Sequence, residues 1–371
     1  MMSLELGRVS IRSFAYEVVK CEVEQRLIPL LASYSGHEHG DLLDLQDVFR
    51  RFSFDCICRF SFGLDPRCLR SSFPASKFAV SFDLASKLSA QRAMTVSPLV
   101  WKIKRVLNIG SERKLREAIS MINELALEVI RQKRKRVGLT TEKDLLARFV
   151  GTINDDTYLR DIIVSFLLAG RDTVASSLTS FFLLLATHPQ VEARIRDESD
   201  RVIGPGRVIS SYEQMRELHY LQASVYESMR LYPPIQFDSK FCLEDDVLPD
   251  GTFVVKGTRV TYHPYAMGRM EKIWGGDCLE FKPERWLKDG VFFPENPFNY
   301  PVFQAGRRVC LGKEMALVEM KTVALFLLQR FDMRLASPHQ TQRFSPGLTA
   351  TFSSGLLVLV RERKASQASD S

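Results

Sequence analysis

Phe303-Gln-Ala-Gly-Arg-Arg-Val-Cys-Leu-Gly312 decides how this chain of 371 residues is read. Cys310 stands between two glycines, Gly306 and Gly312, with Arg308 two residues before it. A helix-like stretch follows at once, Lys313-Glu-Met-Ala-Leu-Val-Glu-Met-Lys-Thr-Val-Ala-Leu-Phe-Leu-Leu328. Glycine opens backbone angles closed to other residues and lets a flat ligand approach the main chain. The spacing predicts a tight loop with its cysteine at a helix N-terminus, where partial positive charge and free N–H groups favour a thiolate. Such a thiolate is a soft, strongly donating metal ligand, and a nearby guanidinium can pair with a carboxylate. A lone cysteine in a turn is more often an inert small core residue. The glycines, Arg308 and Phe303 around this one weigh against that.

Working outward, the composition is that of a globular protein, 45% hydrophobic and 26% charged. No Pro-, Gly- or Ser-rich linker divides it, so one large domain is expected over 1–363, with a disordered tail over 364–371. The net charge of +7 is modest. Its densest basic run, Arg131-Gln-Lys-Arg-Lys-Arg136, closes a helical pattern and reads first as a solvated, dipole-favoured face. No aromatic interleaving accompanies it, so nucleic acid is not an expected partner; an acidic redox partner or an anionic membrane surface fits better. Seven cysteines without a paired framework point to a reducing compartment. Cys56-x-Cys58 reads as core, and His37-x-His39 as a solvated loop. The N-terminus carries no signal peptide or apolar anchor. The most apolar stretch, Ile162 to Ala186, holds Arg171 and Asp172 at its centre. It reads as a buried helix with a polar event, not a membrane span.

Helical patterns cover 10–34, 44–62, 111–136, 162–186, 188–202 and 218–231. Asp155-Asp156 offers N-caps, and Pro233-Pro234 stops the last of these helices. A mixed region rich in Ser and Phe lies between 63 and 110. Short strands are expected over 235–262 and 331–361. The fold class is mainly α with small β-sheets.

Two further stretches carry chemistry. Ala169-Gly-Arg-Asp-Thr173 places Gly, an acid and a hydroxyl in mid-helix, where propensity is poor and a hydroxyl can bond back to the backbone. Glu227-Ser-Met-Arg230 sets an acid and a base three apart on one helix face, by itself a weak signal.

Taken in order, these stretches resemble the haem-thiolate monooxygenases, the cytochrome P-450 family, whose signature Phe-x-x-Gly-x-Arg-x-Cys-x-Gly is filled at every fixed position. Thiolate ligation of haem iron is the known device of that class. The resemblance implies haem b, with Cys310 as iron ligand and Phe303, Gly306, Arg308 and Gly312 as its binding loop. It implies that Asp172 and Thr173 relay protons, and that Glu227, Arg230 and Arg285 (in Pro283-Glu-Arg-Trp286) form a buried structural triad. Trp286 replaces the family's usual phenylalanine. Glu227 to Lys240 and Pro346-Gly-Leu-Thr349 resemble more narrowly the plant fatty-acid ω-hydroxylases. That likeness makes Phe166, Ala169, Ile235, Gln236, Phe237 and Leu348 candidate walls for a hydrophobic substrate. It also implies electrons from NADPH through cytochrome P-450 reductase, and the cytosolic face of the endoplasmic reticulum membrane for a full-length member. Met1-Met-Ser-Leu-Glu-Leu-Gly7 resembles the middle of the family's third helix, so the family's N-terminal part, with its membrane anchor, is expected to be missing. The alternative is an inactive truncated product or incomplete gene model that does not hold haem.

Overall fold

Asp155 caps the helix on which the molecule is built, its carboxylate accepting the N–H groups of Thr157 at 2.8 Å and Tyr158 at 3.2 Å. The computed structural model describes residues 9–35, 42–69, 77–93, 95, 97–136, 144–207, 209–337, 342–345 and 347–363. The His37-x-His39 pair, Pro346, the first residues and the expected tail lie outside the described residues.

Helices α1 (Val9–Glu22) and α2 (Ile28–Ser35) are joined through a π-helical turn, Val23–Leu27. The two-residue strand β1 (Leu43–Asp44) leads into α3 (Leu45–Phe62), capped by Asp44 and ended by Gly63 in the left-handed region. Next come α4 (Lys77–Ala93), α5 (Pro98–Leu107), α6 (Gly110–Arg136) and α7 (Leu145–Val150). The long apolar stretch forms α8 (Asp156–Gly170) and α9 (Asp172–Thr187), which meet at a bend on Arg171. After α10 (Pro189–Val202), α11 (Tyr212–Arg216) and α12 (His219–Leu231), the chain turns to short strands. Of these, β2 (Asp238–Phe241) pairs antiparallel with β5 (Arg259–Tyr262), and β3 (Asp246–Val247) with β4 (Phe253–Val254). The helical turns α13 (Pro264–Met267) and α14 (Glu271–Trp274) and the hairpin of β6 (Leu287–Lys288) with β7 (Val291–Phe292) precede the cysteine loop. Helix α15 (Lys313–Arg330) follows it, then β8 (Phe331–Leu335), β9 (Phe344–Ser345), β10 (Thr351–Phe352) and β11 (Leu357–Glu362).

Two apolar clusters hold these elements. One joins α1, α2 and α3 to α9, α12 and α15 through residues such as Leu27, Phe49, Leu178, Leu221 and Val323, all fully buried. The other joins α3, α4, α6, α7 and α8 through Phe54, Phe82, Ile130, Phe149 and Leu167.

Three expectations change. The mixed region contains two helices, α4 and α5, where serine-rich composition had hidden the periodicity. The α8 half of the apolar stretch is not fully buried, since Ser165, Leu168 and Ala169 are exposed. The basic run is not simply a solvated face. Lys133 is buried against Asp144 at 2.6 Å, and Arg134 reaches Asp156 at 2.7 Å and the Ile153 carbonyl at 2.9 Å. Those two cations stitch α6 to α7 and α8.

Candidate active site

Two single 3₁₀ turns, Pro301–Phe303 and Gly306–Arg308, carry the chain to Cys310. The Cys310 N–H donates to the Phe303 carbonyl at 2.7 Å and closes the loop on itself. Backbone N–H groups of Gly312 and Lys313 donate to the sulfur. Cys310 sits at the open face of the loop, yet enough protein surrounds the sulfur that lost hydration pushes its thiol up; those two N–H groups and the Lys313 charge pull it down. Gly306 has φ +65°, and among the described residues an added Cβ would meet no atom within 4 Å, so its backbone angle, not crowding, demands glycine. Gly312, at φ −86°, has no such demand. Arg308 is exposed and makes no ion pair among the described residues. A sulfur with two N–H donors behind it, open space beside Gly306 and a free guanidinium suit a haem iron, a flat macrocycle and a propionate in turn.

The residue that follows Phe303 is unusual. Gln304 has φ 63° and ψ 174°, a region used almost only by glycine, at a cost of about 1–3 kcal/mol for other residues. Its side chain is held on both ends. Nε2 donates to Asp238 Oδ2 at 3.0 Å, and Oε1 is in contact with the Tyr262 hydroxyl, whose single proton is shared between Gln304 Oε1 and Asp238 Oδ2, the latter 3.0 Å away. Asp238 and Tyr262 face each other across the β2–β5 pair. Burial works against the Asp238 charge, but Lys240, the Ser239 N–H, Gln304 and Tyr262 hold the carboxyl down to about 2.

Glu227 and Arg230, on α12, are wholly buried. Arg230 donates Nε to Glu227 Oε2 at 2.7 Å and Nη2 to Oε1 at 2.9 Å. Arg285 adds Nε at 2.8 Å, the Lys282 N–H 2.9 Å, and the Trp286 indole N–H 2.9 Å. Phenylalanine could not supply that last donor. Arg230 also satisfies the Cys278 carbonyl at 2.6 Å and those of Glu280 and Gly268. Trp286 lies edge-on against Tyr300 at 4.8 Å, and the Tyr300 hydroxyl donates to the Tyr226 carbonyl at 3.1 Å. Tyr300 immediately precedes the turn that enters the cysteine loop, so the triad reaches that loop through two aromatic rings.

At the α8–α9 bend, the Thr173 hydroxyl donates to the Ala169 carbonyl at 2.5 Å. Gly170 packs on α3: a Cβ there would lie 2.6 Å from the Ile57 side chain. Asp172 is half-buried, with Arg171 Nε 3.6 Å from its carboxylate. Arg171 itself is buried and pairs with Asp83 of α4 at 2.5 Å. Helix α9 packs against α15, which brings the bend helix and the cysteine helix together.

The candidate wall residues lie on three segments. Ser176 of α9 donates to the Ala350 carbonyl at 2.6 Å, and the Ala350 N–H donates to the Pro234 carbonyl at 2.8 Å. One turn of α9, the 347–350 loop and the double-proline turn therefore meet. Phe237 and Leu348 are exposed, and Ile235 and Gln236 half-buried, beside that junction. Ala169 is exposed on α8, whereas Phe166 packs back against the second apolar cluster. Sequence reading missed Gln304, Asp238 and Tyr262, because only the β2–β5 register brings them together.

A profile of the family described as Cytochrome P450 matches residues 7–357, and the chain belongs to that family. It is a monooxygenase whose cofactor is a haem-thiolate iron, supplied with electrons from NADPH by a reductase. Among curated relatives it is 61% identical to cytochrome P450 94C1 of Arabidopsis thaliana over 370 residues, 98% of this chain and 74% of that one. It is 44% identical to cytochrome P450 94B3 of the same plant, over 98% of this chain and 72% of the relative. To cytochrome P450 94A2 of Vicia sativa it is 44% identical, over 95% of this chain and 69% of the relative.

Proposed function

We propose that Cys310 is the iron ligand and that the protein hydroxylates the far end of a long apolar acid. The observation that carries the first part is the Cys310 sulfur at the open face of its loop, backed by two N–H donors. Bound haem supplies the iron that activates dioxygen. Phe303, Gly306 and Gly312 shape its seat, and Arg308 is free to hold a propionate. The Asp172 carboxylate and Thr173 hydroxyl, side by side at the helix bend, are the groups able to pass protons into an otherwise apolar site. Glu227, Arg230 and Arg285 hold the segment that leads into the cysteine loop.

The substrate reading is supported by the apolar side chains beside the α9 junction, Phe237, Leu348 and Ile235, with the polar Gln236 among them. A fatty acyl chain gains about 0.8 kcal/mol per buried methylene, so length alone can hold it. Terminal attack then needs the carboxylate kept away from the iron. The reading is ω-hydroxylation of medium- or long-chain fatty acids, or of a fatty-acid conjugate such as jasmonoyl-isoleucine. Family membership supports NADPH–cytochrome P450 reductase as electron donor and the cytosolic face of the endoplasmic reticulum as the place of work.

The test begins with the reduced, carbon monoxide-bound spectrum of the protein extended to the length of its relatives. A Soret band at the thiolate position is expected in the wild type, and its loss in Cys310→Ala. A thiolate band retained in that variant overturns the ligand assignment. Reconstitution with reductase then compares fatty acids and jasmonoyl-isoleucine with a terpene and a phenolic. Turnover of the last two alone overturns the substrate reading.

A further inference from the structure

The Phe303–Gln304 peptide has a geometric consequence for the sulfur. Its carbonyl, on Phe303, accepts the Cys310 N–H at 2.7 Å. The direction of that carbonyl is set by the φ angle of Gln304, which stands at 63°. Rotating Gln304 to an ordinary negative φ turns the peptide plane and takes the acceptor away from Cys310. A side chain other than hydrogen resists the positive angle. Something must therefore hold it.

What holds it is visible. The Gln304 amide is gripped by Asp238 and Tyr262, both anchored in the β2–β5 pair, and its own N–H donates to the Pro301 carbonyl at 3.0 Å. Asp238 does not depend on Gln304 for its place, since Lys240 donates to it at 2.5 Å and the Ser239 N–H at 2.8 Å. The anchor is built independently of the strained residue.

We propose that Gln304 is a positioning residue for the thiolate: Asp238 and Tyr262 clamp its side chain in a glycine-type backbone conformation, and that conformation aims the Phe303 carbonyl at the Cys310 N–H. The β2–β5 pair thereby fixes the cysteine loop independently of the Glu227 triad. The inference rests on Cys310 being the haem ligand.

The decisive comparison is Gln304→Ala against Gln304→Gly. Both lose the clamp; only alanine keeps a Cβ that opposes the positive φ. Haem transfer from the ferric protein to apomyoglobin is measured together with the reduced carbon monoxide spectrum. Gln304→Ala is expected to release haem about tenfold faster or more, with part of its Soret band moved to the neutral-thiol position; Gln304→Gly is expected to stay within about threefold of wild type. Asp238→Asn and Tyr262→Phe, which leave the loop sequence intact, are expected to fall between them. Equal haem loss in the alanine and glycine variants, or no change in either, overturns the proposal. Should Gln304→Ala fail to accumulate, Asp238→Asn carries the test, and wild-type haem retention in it is likewise fatal. Cys310→Ala run in parallel separates the two readings. If it keeps the thiolate band, the ligand assignment fails; if it loses the band while the Gln304 variants match wild type, only the clamp fails.

Discussion

Replacing Glu319 by glutamine should make the protein more stable at alkaline pH and leave it nearly unchanged in acid. Glu319 lies on α15 in the core, 9% exposed, with the Ser53 hydroxyl as its hydrogen-bond donor at 2.9 Å. Burial raises its carboxyl from the usual 4.5 to about 8, and the Ser53 bond offsets only part of that. The folded state therefore keeps a proton that the unfolded chain releases once the pH passes 4.5. Between that pH and about 8 the unfolded chain binds fewer protons, so stability declines as pH rises, and above about 8 the loss is complete. At about 1.36 kcal/mol per pH unit, the window gives a ceiling of about 5 kcal/mol, and relaxation and water entry should reduce it to about 2–4. Glutamine keeps an acceptor for Ser53 and never ionises.

Lys321, two residues on, complicates the wild-type curve but not the comparison. Burial lowers its ammonium to about 8, although its Nζ donates to the Met215 carbonyl at 2.5 Å and to Gln222 at 2.9 Å. A depressed base binds more protons unfolded than folded between about 8 and 10.5, so its contribution rises with pH only there. That rise is common to wild type and Glu319→Gln. The assay is urea unfolding of both haem-loaded proteins, followed by circular dichroism and the Soret band, at about pH 5 and about pH 8.5. A difference in unfolding free energy that is equal at the two pH values, or a variant less stable at the higher one, refutes the reasoning.

Thr173→Ala should uncouple the reaction, with product per NADPH falling several-fold and peroxide rising; unchanged coupling removes the hydroxyl from proton delivery. Glu227→Ala should cost about 3–5 kcal/mol, because it strands the buried Arg230 guanidinium, and should appear as lost haem content in purified protein. Arg171→Met should lie within about 1 kcal/mol of wild type in urea, whereas Arg171→Ala should cost about 2–4. The reason is that, among the described residues, the buried Arg171 Nε and Nη1 atoms have no hydrogen-bond partner, so an apolar chain of similar length loses little while a cavity loses packing.

What could be read from the sequence divides along a physical line. The Cys310 loop, the Ala169–Thr173 bend and the Glu227–Arg230 pair each pack their chemistry into a few consecutive residues, so residue type and spacing sufficed. The helices α9, α12 and α15 were legible because their apolar residues answer to a single core. Helix α4 was not, since its serines spoil propensity and its place is set by packing against α6. Helix α5 buries none of its residues, and only Pro98 at its first turn and Asn108 in the left-handed region mark its ends. Charge was the least legible feature. Lys133 and Lys135 look alike in a run of basic residues. Only the fold decides that Lys133 meets Asp144 in the interior, while Lys135 is exposed and Arg131 stays in solvent with Glu128.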